Sequence, residues 1–438
     1  GNDYMRDQCI YQKVFTKPVF DKEKECVYLE FAGVNATCRV CLHGQKITSH
    51  DGGYSTFRVE ITEQLQEENE LTVYVDNKVG DRVYPQRADF TFYGGIYRDV
   101  TLLTVSNSHF DLDYFGGPGI RLIPKVKGQM GELTAESYIK GTFETVRWKV
   151  LDPNVHLWDG IADPYLYTVR AELIHNGNVA DCVEQKIGFR SFHFDSEKGF
   201  FLNGRSYPLH GVSRHQDWKE IGNAITTEHH DKDMALIREI GANSIRLAHY
   251  QHDQYFYDLC DQSGMIVWAE IPYISEHLVN GRENTVSQMK ELIIQNEHHP
   301  SIVTWGISNE ITIKDTHRKD MLDNHHMLND LVHKMDPSRP TTLACYAMCM
   351  PTHKVVHLTD LVGYNLYLGW YVPFPWLNDL FLKGFHKIWP KRPLCYSEYG
   401  AEGMPNLHSA KPKRGDHTEE YQAVYHEYML ECFKRHPF

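Results

Sequence analysis

No apolar run in the 438 residues approaches the roughly 18 that a membrane-spanning helix requires. The opening Gly1-Asn2-Asp3-Tyr4-Met5-Arg6 also lacks the apolar stretch of a secretion signal, so a soluble cytoplasmic protein is expected. Basic residues are in short supply: 45 Lys plus Arg stand against 58 Asp plus Glu, a net charge of −13. That balance argues against nucleic acid or an anionic membrane as the main partner and suits a neutral or weakly charged ligand. Zinc-type spacing is nearly missing. The ten cysteines are scattered, and Cys38 and Cys41 form a C-x-x-C with no second pair to complete a zinc site. Buried free thiols in a reducing compartment are the simpler reading. Asn35-Ala36-Thr37 fits a glycosylation acceptor, a tripeptide frequent by chance.

What is present is ordinary globular material, 42 % hydrophobic and 24 % charged, which excludes a disordered tail or a fibrous repeat. The length allows roughly two to four domains. From Val14 to about Ser106, short β-rich runs are broken by Gly, Asn and Asp: Cys26 to Phe31, Cys38 to Leu42, Glu70 to Val75. This predicts a β-sandwich, placed at residues 1–107. A second β block, 108–196, has its clearest strands at Glu144 to Val150 and Leu166 to Leu173 and is sized for an immunoglobulin-like sandwich.

From residue 197 to 438 the pattern alternates strand and helix, the signature of a parallel sheet with helical crossovers. Strands are predicted at Tyr207 to Val212, Asn243 to Ala248, Met265 to Ile271, Ile302 to Ser308, Thr341 to Cys345, Leu361 to Leu366 and Leu394 to Ser397. Tyr421, Val424, Tyr425, Tyr428, Met429 and Cys432 share one helical face. Thr285-Val286-Ser287-Gln288 reads as a capping box, and Gly241 as a helix-ending glycine. The fold expected is a (β/α)₈ TIM barrel short of its last βα unit. Pro300, Pro340 and Pro393 each precede a strand, and Pro437-Phe438 repeats that juncture at the end of the sequence. The expectation is therefore that an eighth strand lies beyond it, and that the abrupt opening at Tyr11 to Phe15 belongs to a longer sandwich.

Catalytic groups of such barrels sit at the carboxyl ends of strands. Ile302 to Ile307 leads into Ser308-Asn309-Glu310, and Leu394 to Ser397 leads into Glu398-Tyr399-Gly400. Two carboxylates thus come to one rim, as retaining glycosidases require, with a separation of about 5 to 5.5 Å. Ordinary surface carboxylates are the plainer alternative for each alone; the pair favours chemistry.

Trp305-Gly306-Ile307-Ser308-Asn309-Glu310 and Tyr396-Ser397-Glu398-Tyr399-Gly400 resemble the acid/base and nucleophile signatures of glycoside hydrolase family 2, the group of β-galactosidases and β-glucuronidases. The resemblance covers nearly the whole chain. It implies that Glu310 is the general acid/base, Glu398 the nucleophile, and Asn309 the contact to the sugar 2-hydroxyl. Gly211-Val212-Ser213-Arg214-His215, Ile245 to Tyr250 and Gly363-Tyr364-Asn365-Leu366-Tyr367 are similar to further family segments in the same order. His215 and His249 would then meet sugar hydroxyls, and Tyr367 would hydrogen-bond the nucleophile. The first sandwich would be a jelly-roll-like sugar-binding domain whose loop carries Asp89 to the sugar. Trp370, Tyr371, Phe374 and Trp376 follow the sixth strand; apolar sugar faces stack on such rings, although some of the four should pack as a lid. Trp268 and Glu270 suit either a site floor or the barrel filling.

Two rival readings compete with this one. A metal-dependent barrel hydrolase would use some of the 26 histidines, but no predicted strand ends in His-x-His. His229-His230, His298-His299 and His325-His326 fall in predicted helices, where neighbours point apart. The divalent-ion ligand run of some family β-galactosidases is not reproduced by Ile271 to His277, so no cofactor is expected, with Mg²⁺ the one candidate ion. A non-catalytic carbohydrate-binding barrel is opposed by retention of both Glu310 and Glu398. The reading is a bacterial-type, exo-acting, retaining β-glycosidase acting on carbohydrate, with a homo-oligomer compatible. β-Galactosidase is the first choice, from Arg246 to Tyr250 and Phe92 to Arg98, and β-glucuronidase the alternative.

Overall fold

The computed structural model describes residues 5–150 and 155–438. They divide into two compact units, 1–191 with 210–274 and 278–303, and 192–209 with 275–277 and 304–438.

The first unit opens with two antiparallel sheets. One takes strands Gln8–Thr16, Glu68–Asp76, Thr37–Leu42 and Gln45–Asp51 in that spatial order; the other pairs Phe57–Glu60 and Val100–Ser106 with Glu25–Phe31. Val27, Leu29 and Phe31 alternate inward on one sheet and Leu71, Val73 and Val75 on the other, packing one apolar core. Cys38 and Cys41 are buried free thiols of this layer, and burial pushes the Cys38 thiol up to about 12. A further sheet, Thr145–Val150, Tyr167–His175 and Asn178–Ile187, turns Tyr167, Val169, Ala171 and Leu173 onto Phe110, Leu122 and Phe189. Arg190 ties this region to the barrel: its Nε donates to the Pro300 carbonyl and its Nη2 to Ile302 O at 2.7 Å.

The parallel strands follow the sequence closely. The first unit holds β1 (Gly211–Arg214), β2 (Ser244–Leu247) and β3 (Ile266–Glu270), paired in parallel in that order. β4 (Ile302–Lys314) starts in the first unit and runs on through the second. There it pairs with β5 (Thr341–Cys345), which is followed by β6 (Val362–Asn365) and β7 (Leu394–Glu398), all parallel. All five residues of β5 are buried, the mark of a strand covered on both faces. The crossover helices are α1 (Thr227–Glu239), α2 (Gln254–Ser263), α3 (Arg282–Asn296), α4 (Arg318–Met335) and α5 (Leu377–Ile388); α6 (Glu419–Arg435) follows β7. Gly241 follows α1 at φ +77°.

Two local expectations are corrected. Thr285 does not cap a helix: α3 begins at Arg282, and the Thr285 hydroxyl donates to Arg282 O at 2.7 Å inside the first turn. The helix extends further back because Asn284 accepts from the Tyr84 backbone N–H at 2.9 Å, a tertiary anchor. His298 and His299 lie beyond the end of α3, where His299 Nδ1 meets Asp261 Oδ2 at 2.6 Å. No helix among the described residues is long and apolar enough to cross a membrane.

Candidate active site

In the second unit, β4, β6 and β7 bring the predicted carboxylates into one hydrogen-bonded group, Glu310 from within β4 and Glu398 from the end of β7. Across the sheet, Asn365 at the end of β6 stands opposite Glu398 at the end of β7. The Asn365 amide Nδ2 donates to Glu310 Oε1 at 3.0 Å and to Asn309 Oδ1 at 3.1 Å, while its Oδ1 accepts from Ser397 Oγ at 2.8 Å. Tyr367 O–H donates to Glu398 Oε2 at 2.8 Å, and the Leu366 N–H donates to the Glu398 carbonyl at 2.8 Å. Asn309 and Asn365 are fully buried; Glu310, Tyr367 and Glu398 are half-buried, open enough to meet a ligand. Glu310 sits at φ +48°, a left-handed conformation that costs a non-glycine residue about 1 to 3 kcal/mol and is concentrated at functional sites.

Behind Glu310, Ser308 is locked from below. His325 on α4 can direct Nδ1–H only at the Met321 carbonyl, 2.7 Å away, so its Nε2 accepts from Ser308 Oγ at 2.8 Å. Burial drives His325 down to about 4 and keeps it neutral. Trp305, earlier on β4, anchors through Nε1 to Asp336 Oδ2 at 2.8 Å.

The first unit assembles the other predicted residues. His249 Nδ1–H donates to Glu270 Oε1 at 2.7 Å, and Arg246 grips the same carboxylate through Nε at 3.0 Å and Nη2 at 2.9 Å. Burial works to raise the Glu270 carboxyl, but Arg246 and His249 outweigh it and hold it below the ordinary value. His215 lies edge-on to His249 with ring centroids 5.1 Å apart, and Tyr250 O–H meets its Nδ1 at 3.1 Å. Burial, aided by His249 and Arg246, pulls His215 down to about 3, so it is a neutral ring. The loop of Asp89 reaches these histidines: Phe90 packs 4.9 Å from His215, 5.8 Å from His249 and 5.6 Å from Tyr250, leaving Asp89 exposed beside it. Arg98 braces that approach, donating to Tyr54 O at 2.7 Å and to Gln216 Oε1 and Gln251 O, each at 3.2 Å.

Trp370 goes elsewhere. It is 5 % exposed, packed with Ala401, Tyr425 and Met429 under the rim, whereas Tyr371, Phe374 and Trp376 stay exposed. Asn365, Ser397 and the Ser308–His325 pair were not singled out from the sequence. Asn365 lies within a quoted motif, and its importance emerges only from the sheet that carries β4, β6 and β7.

Two groups among the described residues have metal-ligand spacing: Asp258, Asp261 and His299, and Asp379, Cys432 and His436. Neither includes Glu310 or Glu398. Asp379 already accepts from Arg435 and His436, each at 2.9 Å, and from Tyr428 at 2.5 Å. The chemistry available at the strand ends is that of two carboxylates, one held by an amide and one by a phenol.

Family models agree with that chemistry. Residues 195–436 match the TIM barrel domain of glycosyl hydrolases family 2. The chain belongs to glycosyl hydrolase family 2. Two further models match, the galactose-binding domain-like part at 2–92 and another family 2 domain at 124–190. A β-glucuronidase of Bacteroides fragilis is 34 % identical over all of this chain and 69 % of its own length. A β-galactosidase of Thermoanaerobacter pseudethanolicus is 28 % identical over 76 % of this chain and 48 % of its own length. Among solved structures, an FMN-binding β-glucuronidase from Facaelibacterium prausnitzii L2-6 superposes with a TM-score of 0.97 at 41 % identity, covering all of this chain and 72 % of that one. The chain thus spans between about half and about seven tenths of the length of these relatives.

Proposed function

We propose that the protein is a retaining exo-β-glucuronidase. The observation that carries the glycosidase reading is the Asn365-centred group, in which one side chain of β6 holds Glu310 of β4 and stands opposite Glu398 of β7. Glu310 gives its proton to the glycosidic oxygen while a Glu398 oxygen attacks the anomeric carbon; the bond to the leaving group breaks and a glycosyl ester forms. Water then attacks the same carbon. Glu310 takes its proton, the ester bond breaks, and Glu398 is regenerated as a carboxylate. Asn309, His215, His249 and Asp89 are assigned to sugar hydroxyls, and Tyr367 steadies the nucleophile. The two displacements need no cofactor.

Glucuronide is preferred over galactoside, reversing the order drawn from the sequence. Its support is the relatives: the β-glucuronidase of B. fragilis aligns over the whole chain, and the β-galactosidase over a smaller share at lower identity. The test is kcat/KM on p-nitrophenyl β-D-glucuronide against the β-D-galactoside. A preference of about 100-fold or more for the glucuronide is expected, since an enzyme that pairs a charged group of its substrate strongly rejects an analogue lacking it. Preference for the galactoside would restore the other reading.

A further inference from the structure

Arg214 closes β1 next to His215 and carries a buried guanidinium whose every nitrogen is engaged. Nε and Nη2 donate to Asp233 Oδ2 at 2.9 and 2.7 Å, Nη2 also meets His230 Nδ1 at 3.0 Å, and Nη1 meets His252 Nδ1 at 3.0 Å. A guanidinium only donates and a carbonyl only accepts, which fixes the tautomer of His252. Its Nδ1 is the bare nitrogen that accepts from Arg214, and its Nε2–H donates to the Ala248 carbonyl at 2.9 Å. Burial, aided by the Arg214 charge, drives His252 well below the ordinary histidine value, so the ring stays neutral.

Ala248 closes the circuit. Its N–H donates to the Arg214 carbonyl at 3.1 Å, so both polar backbone groups of Ala248 are tied to Arg214, the N–H directly and the carbonyl through His252. Both Ala248 and His252 are buried, and a bond lost here has no solvent to replace it. The residues next in the chain are His215, after Arg214, and His249, after Ala248, whose rings meet edge-on. We propose that His252 is a positioning residue for substrate binding: by spanning Arg214 and the Ala248 carbonyl, it sets how His249 is presented to a sugar hydroxyl. Glu270 fixes the rotation of the His249 ring through Nδ1, whereas His252 fixes the backbone that carries the ring. The proposal rests on the glycosidase reading, with His249 at a sugar hydroxyl, and is independent of which sugar is preferred.

The test is a matched pair of full-chain variants, His252→Asn and His252→Gln, assayed for kcat and KM on the p-nitrophenyl glycoside of the preferred sugar. The Asn amide reaches only as far as Nδ1 did, keeping an acceptor for Arg214 and losing the bond to Ala248; the longer Gln amide keeps a donor in the place of Nε2. His252→Asn should raise KM by about 3- to 10-fold, as expected for one net hydrogen bond, with kcat within about twofold. His252→Gln should stay within about twofold of the parent in both constants. Equal KM values for the two variants overturn the proposal, as does a fall in kcat at least as large as the rise in KM. A merely structural role would lower the melting temperature of His252→Asn and leave its KM equal to that of His252→Gln. His249→Ala separates the two levels. If its KM is unchanged, the contact of His249 with the sugar fails and the positioning falls with it; if its KM rises and that of His252→Asn does not, the positioning alone fails.

Discussion

Asn365 holds Glu310 directly, its amide Nδ2 3.0 Å from Glu310 Oε1, and through its other atom it accepts from Ser397, the neighbour of Glu398. One side chain therefore links both carboxylate-bearing strands, and its amide has no spare donor. Asn365→Ala should remove that registration without exposing a charge. The expected result is a fall in kcat of about 100-fold, comparable to losing one preorganised donor at a reacting centre, with KM little changed. An equal loss confined to KM would place Asn365 in ground-state binding only.

Tyr367 donates to Glu398 Oε2 at 2.8 Å. Tyr367→Phe keeps the ring and deletes one hydrogen bond to a charged acceptor, an interaction of about 1.5 to 3 kcal/mol. A decrease in kcat/KM of about 10- to 100-fold should follow, with an unchanged melting temperature. Activity within twofold of the parent would mean that the phenol supports packing and not the nucleophile.

Much of this arrangement was visible in the residues themselves. Thr341 to Cys345 reads as a strand from its β-branched start and apolar run, and the structure gives the same limits. Glu310 and Glu398 stand out because polar residues end apolar strands, a local signal. Asn365 does not stand out: its partners are 55, 56 and 32 positions away, and only the sheet that carries β4, β6 and β7 brings them together. The start of α3 is hidden for a similar reason, since Asn284 is held by the Tyr84 N–H, 200 positions earlier. Trp370 and Trp376 look alike as residues after β6, and only the packing of Met429 and Tyr425 from α6 separates the buried ring from the exposed one. The galactoside preference rests on Arg246 to Tyr250 and Phe92 to Arg98, short segments that do not report on the whole chain, and relatives named β-glucuronidase align over more of it.

Burial holds His325 neutral at about 4, against 6.5 for a free histidine. Below pH 6.5 the unfolded chain takes up a proton that the native chain refuses, so stability is fully present above that pH and declines as pH falls towards 4. His230, at about 4, and His215, at about 3, act in the same direction. Each such group steepens the acid limb by up to about 1.4 kcal/mol per pH unit. Urea denaturation between pH 7 and 4.5 should show the parent losing stability faster than His325→Gln. Parallel slopes would mean that His325 is already protonated in the native state.

Glu270 is fully buried and neutralises Arg246, itself 5 % exposed, while orienting His249. Glu270→Ala would leave a guanidinium uncompensated in the interior, a loss of about 3 to 5 kcal/mol. Glu270→Gln keeps the volume but turns an N–H₂ group towards two donors, so it should be intermediate. Replacing both partners, as in Arg246→Met with Glu270→Leu, should recover most of the stability, since apolar groups of similar volume need no counter-charge. The double variant should still lose activity, because His249 then lacks the acceptor that fixes its Nδ1–H. Chemical denaturation and kcat/KM on the four proteins separate these effects: recovery of both together would show that Glu270 does not position His249.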